Sequence, residues 1–298
     1  MSRKVCVIVN PASGRGSGAR ALPAIRTAFS EVGVSEIHVT SAKGDESTQA
    51  RKALNDGFDT IVACGGDGTW SNVANAMIAA GAGRQARMAL LATGTGNDFA
   101  KTVGAPARDF AATARLAVNG SELDVDVGRI ENKYFLNVSG FGFDIAVLED
   151  IERISWLKGD LLYLYSALRQ LFSYGGIDVG IASARNRREA RRHLMLIVAN
   201  ARNFGGSFRI APGASVTDGK LDAISIHDAA PFSRMRLFAA ATKGTHVMAA
   251  EVIVEQAPTF TLEFSKPPAF ETDGEYNRAE SAVVQIDCVP KAIRVVVP

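Results

Sequence analysis

The chain has little that would cross-link it or mark a metal centre. Its cysteines are only Cys6, Cys64 and Cys288, far apart, and no two form a C-x-x-C pair. That excludes a disulfide framework and a thiolate zinc site, and it fits a reducing compartment. The four histidines are equally scattered. Net charge is only +2, so the field of the whole molecule selects no class of partner. No apolar run is long enough to span a bilayer. The opening run Val5 to Val9 is too short for a signal-peptide core, and Asn10-Pro11 stops it. There is no internal repeat, low-complexity tract or long linker. No motif that reads DNA or RNA is present, so no nucleic-acid partner is expected. The expectation is a soluble cytoplasmic protein whose membrane contact would be peripheral, at the inner face.

What is present is ample for two domains: 298 residues, 47% of them apolar. The organising stretch is Ala63-Cys64-Gly65-Gly66-Asp67-Gly68-Thr69-Trp70-Ser71-Asn72. It follows the strand-like run Thr60-Ile61-Val62. Trp70, Val73, Ala74, Met77 and Ile78 recur after it at helical spacing. A glycine turn between a strand and a helix can bring backbone N–H groups and a helix N-terminus against an anion. The glycines let the chain approach a phosphate without a Cβ in the way. Asp67 would repel a bare phosphate. It therefore calls for a divalent cation or a substrate hydroxyl, and both suggest phosphoryl transfer. The plainer alternative is a capping Asp on a β-α turn.

Two further small-residue loops have the same setting. Val5 to Val9 reads as a strand that runs into Asn10-Pro11-Ala12-Ser13-Gly14-Arg15-Gly16, with Leu22, Ile25 and Phe29 on a helix beyond. Met88 to Ala92 reads as a strand ending in Thr93-Gly94-Thr95-Gly96-Asn97-Asp98-Phe99-Ala100. The first of them is neither a Walker A nor a G-x-G-x-x-G motif. Three such loops after successive strands converge on one edge of a parallel sheet. Ile37 to Thr40 supplies another strand, and Thr48 to Leu54 a helix. Thr93, Asn97 and Asp98 could equally be helix caps.

Near Asp124 the pattern turns strand-like. Runs at Tyr134 to Val138, Ile177 to Ala182, Leu194 to Asn200, Leu221 to Ile226, Ile253 to Val254, Thr259 to Phe264, Val283 to Cys288 and Ile293 to Val297 suggest a sandwich-like second domain. Helical insertions at Ile154 to Phe172 and Arg234 to Thr242 interrupt it. The expected division is an α/β domain over 1–124 and a β-sandwich domain over 125–298, with the last residues packing back on the first domain. Leu157, Leu161, Leu164, Leu168 and Leu171, with Trp156, Tyr163, Tyr165 and Phe172, form a helical stripe that reads as core before it reads as a membrane face. Arg185, Arg187, Arg188, Arg191 and Arg192 crowd an expected hairpin, either a solvated tip or a contact for anionic headgroups.

Taken together these motifs resemble the catalytic domain of diacylglycerol kinases and related bacterial lipid kinases, a group that includes sphingosine and ceramide kinases. The matching stretches are Asn10 to Gly14, Gly65 to Thr69, Gly94 to Ala100, Asp126-Val127-Gly128, Tyr134 to Phe143, Ile210 to Asp222 and Asp273-Gly274-Glu275. The resemblance implies an N-terminal α/β domain of the kind shared with NAD kinases, a C-terminal β-sandwich, and ATP in the cleft between them. It maps nucleotide contacts onto Asn10, Pro11, Ala12, Ser13, Gly14, Thr40, Gly65, Gly66, Asp67, Gly68, Thr69, Trp70, Ser71 and Thr95. It maps a water-linked acidic network around Mg-ATP onto Asp67, Asp98 and Asp126. A structural Mg2+ site falls on Ser215, Asp218 and the carbonyl of Lys220, and the general base on Glu275. Ser215 is a weak magnesium ligand through its hydroxyl, and a backbone carbonyl could serve instead. Asn203 to Phe208 has fewer glycines than the family's usual run.

The expected activity is transfer of the ATP γ-phosphate to a lipid hydroxyl, with diacylglycerol as the default acceptor. The alternatives are a kinase of another hydroxyl, NAD kinase-like, and a nucleotide-binding regulatory protein without turnover. Asp67 competes with Glu275 as base, and sequence alone does not separate Glu275 from Asp273. The oligomeric state is left open, a homodimer included.

Overall fold

The computed structural model describes residues 3–154 and 160–298. They form two compact units. The first holds residues up to 127 with Val216–Gly219 and Val289–Pro298; the second holds Gly128–Ser215 and Lys220–Cys288. The change of pattern read near Asp124 lies inside a strand, Ser121–Ile130, that passes from one unit to the next.

In the first unit, strands and helices alternate. They are β1 (Val5–Val9), α1 (Ser13–Ser30), β2 (Ile37–Val39), α2 (Asp45–Asn55), β3 (Thr60–Gly65), α3 (Asp67–Ala79), β4 (Arg87–Ala92), α4 (Asp98–Val103), α5 (Phe110–Asn119) and β5 (Ser121–Ile130). β1, β3 and β4 are buried along their whole length, as strands of a parallel sheet covered on both faces must be. Val5 pairs with Thr60 and Thr60 with Arg87, all in parallel, and β2 extends the sheet beyond β1. Valines and cysteine of this sheet pack with Ile25 and Phe29 of α1 and Ala114 of α5.

Arg87 is almost wholly buried at the start of β4. Its guanidinium donates to the carbonyls of Ala117, Val118 and Gly120, and to Thr60 Oγ1. It thus satisfies the carbonyls that α5 leaves free at its C-terminus.

The second unit is antiparallel. Its elements are β6 (Lys133–Phe135), β7 (Val138–Gly142), α6 (Phe143–Arg153), α7 (Asp160–Ser173), β8 (Ile177–Ser183), β9 (Arg187–Ala199), β10 (Leu221–His227), α8 (Pro231–Lys243), a 3-10 turn His246–Met248, β11 (Val252–Ala257), β12 (Thr259–Glu263), β13 (Ala269–Thr272), β14 (Glu275–Arg278) and the opening part of β15 (Val283–Val297). The rest of β15 belongs to the first unit, where Arg294 and Val295 pair in parallel with Arg87 and Met88. β9 is the hub, paired with β7, β8 and β10. Its side chains alternate between two cores. Leu196 and Val198 join Phe141, Phe260 and Phe270, while Met195, Ile197 and Ala199 join Phe143, Leu171 and Leu237 of the helices. A strand covered on both faces reads as one apolar run, which is why Leu194 to Asn200 is legible as a strand.

Several expectations need correction here. Tyr134 to Val138 is two strands, because the N–H groups of Leu136, Asn137 and Val138 turn aside to the Asp273 carboxylate. The run Val283 to Val297 is one strand, not two. The insertion expected at 154–172 corresponds to α7, and a further helix, α6, precedes it where none was expected. Trp156, Leu157 and the side chains of Leu161, Tyr163 and Leu164 lie outside the described residues. Of the rest of the stripe, Leu171 is buried, while Tyr165, Leu168 and Phe172 are exposed. Four of the five arginines are not on a hairpin tip but along β9. Arg187 pairs with Glu263, Arg188 with Glu255 and Arg192 with Asp178, so neighbouring acids neutralise most of that charge. Among the described residues no helix is long and apolar enough to cross a membrane.

Candidate active site

Because β1, β3 and β4 run in parallel, the loops after them leave from one edge of the first unit's sheet. They are bonded to one another. Asn10 donates its N–H to Cys64 O and its Nδ2 to Thr69 Oγ1 at 3.0 Å, and it reaches Glu46 Oε1 at 3.4 Å. Ser13 Oγ donates to Asn10 O, so its 2.7 Å contact with Thr93 must be donated by the Thr93 hydroxyl. The N–H groups of Thr93 and Gly94 both donate to Gly65 O. Asp67 Oδ1 accepts the N–H of Phe99 at 3.1 Å, so the Asp of the central turn caps the helix of the next loop. The edge is fixed before any ligand arrives.

The glycines mostly serve this loop-to-loop contact. A Cβ on Gly65 would fall 2.3 Å from Thr69 Oγ1, and one on Gly94 only 2.5 Å from Gly66 Cα. Gly14, at φ 54°, backs onto Thr93 O, 2.1 Å from where its Cβ would be. Gly68 alone of the central turn has nothing within 4 Å, on the first turn of α3. Of the three, only Gly68 leaves open space where a ligand could approach, while Gly65 and Gly66 are needed for packing.

The remaining positions of the first unit divide by exposure. Ala12 and Thr95 are exposed, Pro11 and Gly14 half-buried, and Thr40 and Ser71 buried. At Trp70 only the backbone is available to a ligand: its indole is fully buried and Nε1 donates to Ala63 O, so its side chain is core. Asp98 is buried and paired with Lys101. Asp126 is buried too. One oxygen accepts Gly219 N–H and the other Lys291 N–H, each at 2.7 Å. It ties the 216–219 segment and the chain's last segment to β5. Among the described residues no three or more His, Cys, Asp or Glu side chains gather as a metal cluster. Glu46, passed over in the sequence, is buried beside Asn10 with Oε2 unpartnered. Nothing in its local sequence marks it.

Ser215, Asp218 and Lys220 lie on the stretch leading into β10. A hydroxyl or carbonyl, a carboxylate and a carbonyl make an all-oxygen donor set. That chemistry fits a hard cation such as Mg2+ and not zinc.

In the second unit, Asp273 and Gly274 form the turn between β13 and β14, with φ 50° and 87°, and Glu275 follows at the start of β14. The structure separates the two acids that the sequence did not. Both Asp273 oxygens accept backbone N–H groups, at 2.8 Å from Leu136 and Asn137 and 3.2 Å from Val138, so Asp273 is a structural tie. Glu275 is half-buried.

A cavity of about 280 Å³ lies in this unit between the helices and the sheet. Phe143, Leu171, Met195, Phe208, Leu237 and Phe238 are among its lining, and among the described residues the one ionisable side chain there is Asp144. Asp144 is buried, and burial pushes its carboxyl up to about 7. Burial, with the Asp144 charge beside it, also holds Glu271 well above the usual carboxylate range. Neither acid stands in a recognisable motif, which is why the sequence did not reveal them.

The diacylglycerol kinase catalytic domain matches residues 4–130, and the YegS C-terminal NAD kinase beta sandwich-like domain matches residues 137–297. The chain belongs to the diacylglycerol kinase catalytic domain family. It is therefore a member of a kinase family. It is 28% identical to the diacylglycerol kinase of Bacillus subtilis (strain 168), over 92% of this chain and 90% of that one. It is also 28% identical to the diacylglycerol kinase of Mycobacterium tuberculosis (strain ATCC 25618 / H37Rv), over 99% and 95%. A solved putative diacylglycerol kinase of Bacillus anthracis str. Sterne shares the fold, with TM-score 0.79, 20% identity, and 100% of this chain and 96% of that one covered. An NAD kinase from Archaeoglobus fulgidus in complex with ATP is similar at TM-score 0.53 and 14% identity, over 98% and 93% of the two chains.

Proposed function

We propose that this protein is a Mg-dependent lipid kinase that transfers the ATP γ-phosphate to a lipid hydroxyl, with diacylglycerol as acceptor and phosphatidic acid as product. The observation that carries the lipid reading is the apolar cavity of the second unit. A soluble acceptor such as a sugar or a dinucleotide would need many polar partners, and among the described residues this cavity offers one ionisable group in an aliphatic and aromatic lining. Relatives named diacylglycerol kinase over most of their length support the same reading.

The chain's own groups would divide the work. The three bonded loops and the N-terminus of α3 cradle the phosphates through backbone N–H groups. Asp67, Asp98 and Asp126 would hold magnesium partly through water, and Ser215, Asp218 and the Lys220 carbonyl would hold a structural ion. When bound, magnesium supplies charge neutralisation on the phosphate oxygens. Glu275 takes the acceptor proton as transfer proceeds. Peripheral membrane contact is assigned to α7 and α8, where Phe172 and Phe232 are exposed.

The test is labelled ATP with magnesium and a panel of diacylglycerol in mixed micelles, sphingosine, sugars and NAD. Label in diacylglycerol is expected. Label in NAD or a sugar would overturn the lipid reading, and label in nothing would favour a nucleotide-binding regulator.

A further inference from the structure

Asp144 and Glu271 are buried acids that face each other, and among the described residues neither has a counter-ion. Among those residues both oxygens of Asp144 and Oε1 of Glu271 have no hydrogen-bond partner. The N–H groups of Asp144 and Ile145, on the first turn of α6, lie close enough to ease the Asp144 charge, but neither reaches good hydrogen-bond geometry with its oxygens. A Cβ on Gly140 would lie 2.0 Å from Asp144 Oδ2 and 2.9 Å from Glu271 Oε1, so the two carboxyls close on one point of β7. Only glycine fits there. Two carboxylates so placed cannot both ionise without a large cost.

The other oxygen of Glu271 has a task. Oε2 accepts the N–H of Gly274 at 2.5 Å. Gly274 precedes Glu275, in a turn whose other residue, Asp273, is already held by three backbone N–H groups. The acid pair is therefore joined to the cavity through Asp144 and to the Glu275 turn through Glu271.

We propose that Asp144 and Glu271 share one proton at neutral pH, and that the pair so held fixes Gly274 and positions Glu275. This rests on the reading of Glu275 as the base, and it makes the two acids positioning residues. Oε2 is an acceptor, so the shared proton belongs on the Oε1 side, towards Asp144. The other groups facing the pair do not replace it. Asp273 adds negative charge beside Glu271, and Tyr174, held in its phenol form by burial and by the Asp144 charge, carries none. Loss of the proton to solvent puts two negative charges at one buried point. Glu271 then moves off, and Gly274 N–H is released. The folded pair holds its proton more tightly than the unfolded chain does, so stability falls as pH rises from the ordinary carboxylate range to that of the pair.

The decisive comparison is wild type with Glu271→Gln, whose amide oxygen can accept Gly274 N–H while its NH2 faces Asp144. Asp144→Asn is the second variant. Two readouts need no substrate: the infrared band of a protonated carboxyl, and the hydrogen-exchange protection of Gly274. In wild type the band should persist at neutral pH and titrate away above it, with Gly274 protection falling about tenfold. kcat should fall over the same range while the ATP KM stays flat. Either amide variant should flatten protection and kcat together. A wild type with no protonated carboxyl at neutral pH overturns the shared proton, as does an amide variant that keeps the wild-type pH dependence at Gly274. A protein that phosphorylates no lipid sinks the kinase reading and leaves the infrared and exchange results standing. If those succeed while kcat ignores pH, the positioning of Glu275 is what fails.

Discussion

Asp67 accepts a hydrogen bond from the N–H of Phe99, so the acid of one sheet-edge loop is the cap of the helix in the next. The residue is thus asked to do two things, and they separate by substitution. Asp67→Asn keeps an oxygen for Phe99 and loses the charge. Its melting temperature without nucleotide should stay close to wild type, while stabilisation by Mg-ATP should largely disappear. Asp67→Ala should lose the cap as well, about 1 kcal/mol in denaturant titration. A wild-type response of Asp67→Asn to Mg-ATP would remove Asp67 from the metal site.

Gly94 and Gly68 should behave oppositely. Gly94→Ala brings a Cβ to 2.5 Å from Gly66 Cα, which only backbone movement relieves, so a loss of roughly 2 kcal/mol or more is expected. Gly68→Ala meets nothing within 4 Å on a helical turn and should leave stability unchanged or slightly raised. Calorimetric ATP titration of Gly68→Ala then tests the phosphate cradle without a folding defect. Undiminished affinity would place the cradle elsewhere.

Asp126 should be intolerant of its own amide. Asp126→Asn turns an NH2 towards Gly219 N–H or Lys291 N–H and leaves a buried donor facing a donor. That costs about 1–3 kcal/mol. Limited proteolysis should show the last segment of the chain released earlier than in wild type. Full stability of Asp126→Asn would mean that the two backbone bonds contribute nothing.

Membrane binding should follow apolar side chains and not the arginine cluster. Phe172→Ser with Phe232→Ser should reduce sedimentation with anionic vesicles several-fold. Reversal of Arg187, Arg188 and Arg191 to Glu should change it less, because Glu263 and Glu255 already pair the first two. The opposite ranking would return the contact to β9.

His193 should give an acid limb of stability. Its ring is buried, Nδ1 donates to Arg191 O, and the His227 ring stacks on it at 4.7 Å. Burial, with His227 and Arg188 nearby, lowers its pKa to about 4, and burial, with Arg191 and Arg188 nearby, lowers that of His227 as well. Below the unfolded value of 6.5 the unfolded chain takes a proton that the folded chain refuses, so stability falls as pH drops from there to about 4. The loss between pH 7 and 5 should be on the order of 2 kcal/mol, and His193→Gln should remove most of it. Identical acid denaturation of the two proteins would exclude this histidine.

The sequence by itself determined the elements whose cause is local. Val5 to Val9, Thr60 to Val62 and Met88 to Ala92 are apolar because both faces of a parallel sheet are covered, and the small-residue loops after them follow from chain reversal at its edge. Leu194 to Asn200 was legible for the same reason. The hairpin around Asp273 and helix α6 lacked so clean a period and did not show. What only the tertiary structure decided is the partner of each polar group. Asp273, Glu275 and Glu271 stand within five residues of one another and read alike. They part because one meets three backbone N–H groups, one is left half-buried, and one is buried against an acid far away in the chain. A carboxyl's charge and role depend on what surrounds it in space, and those neighbours come from strands that only folding brings together.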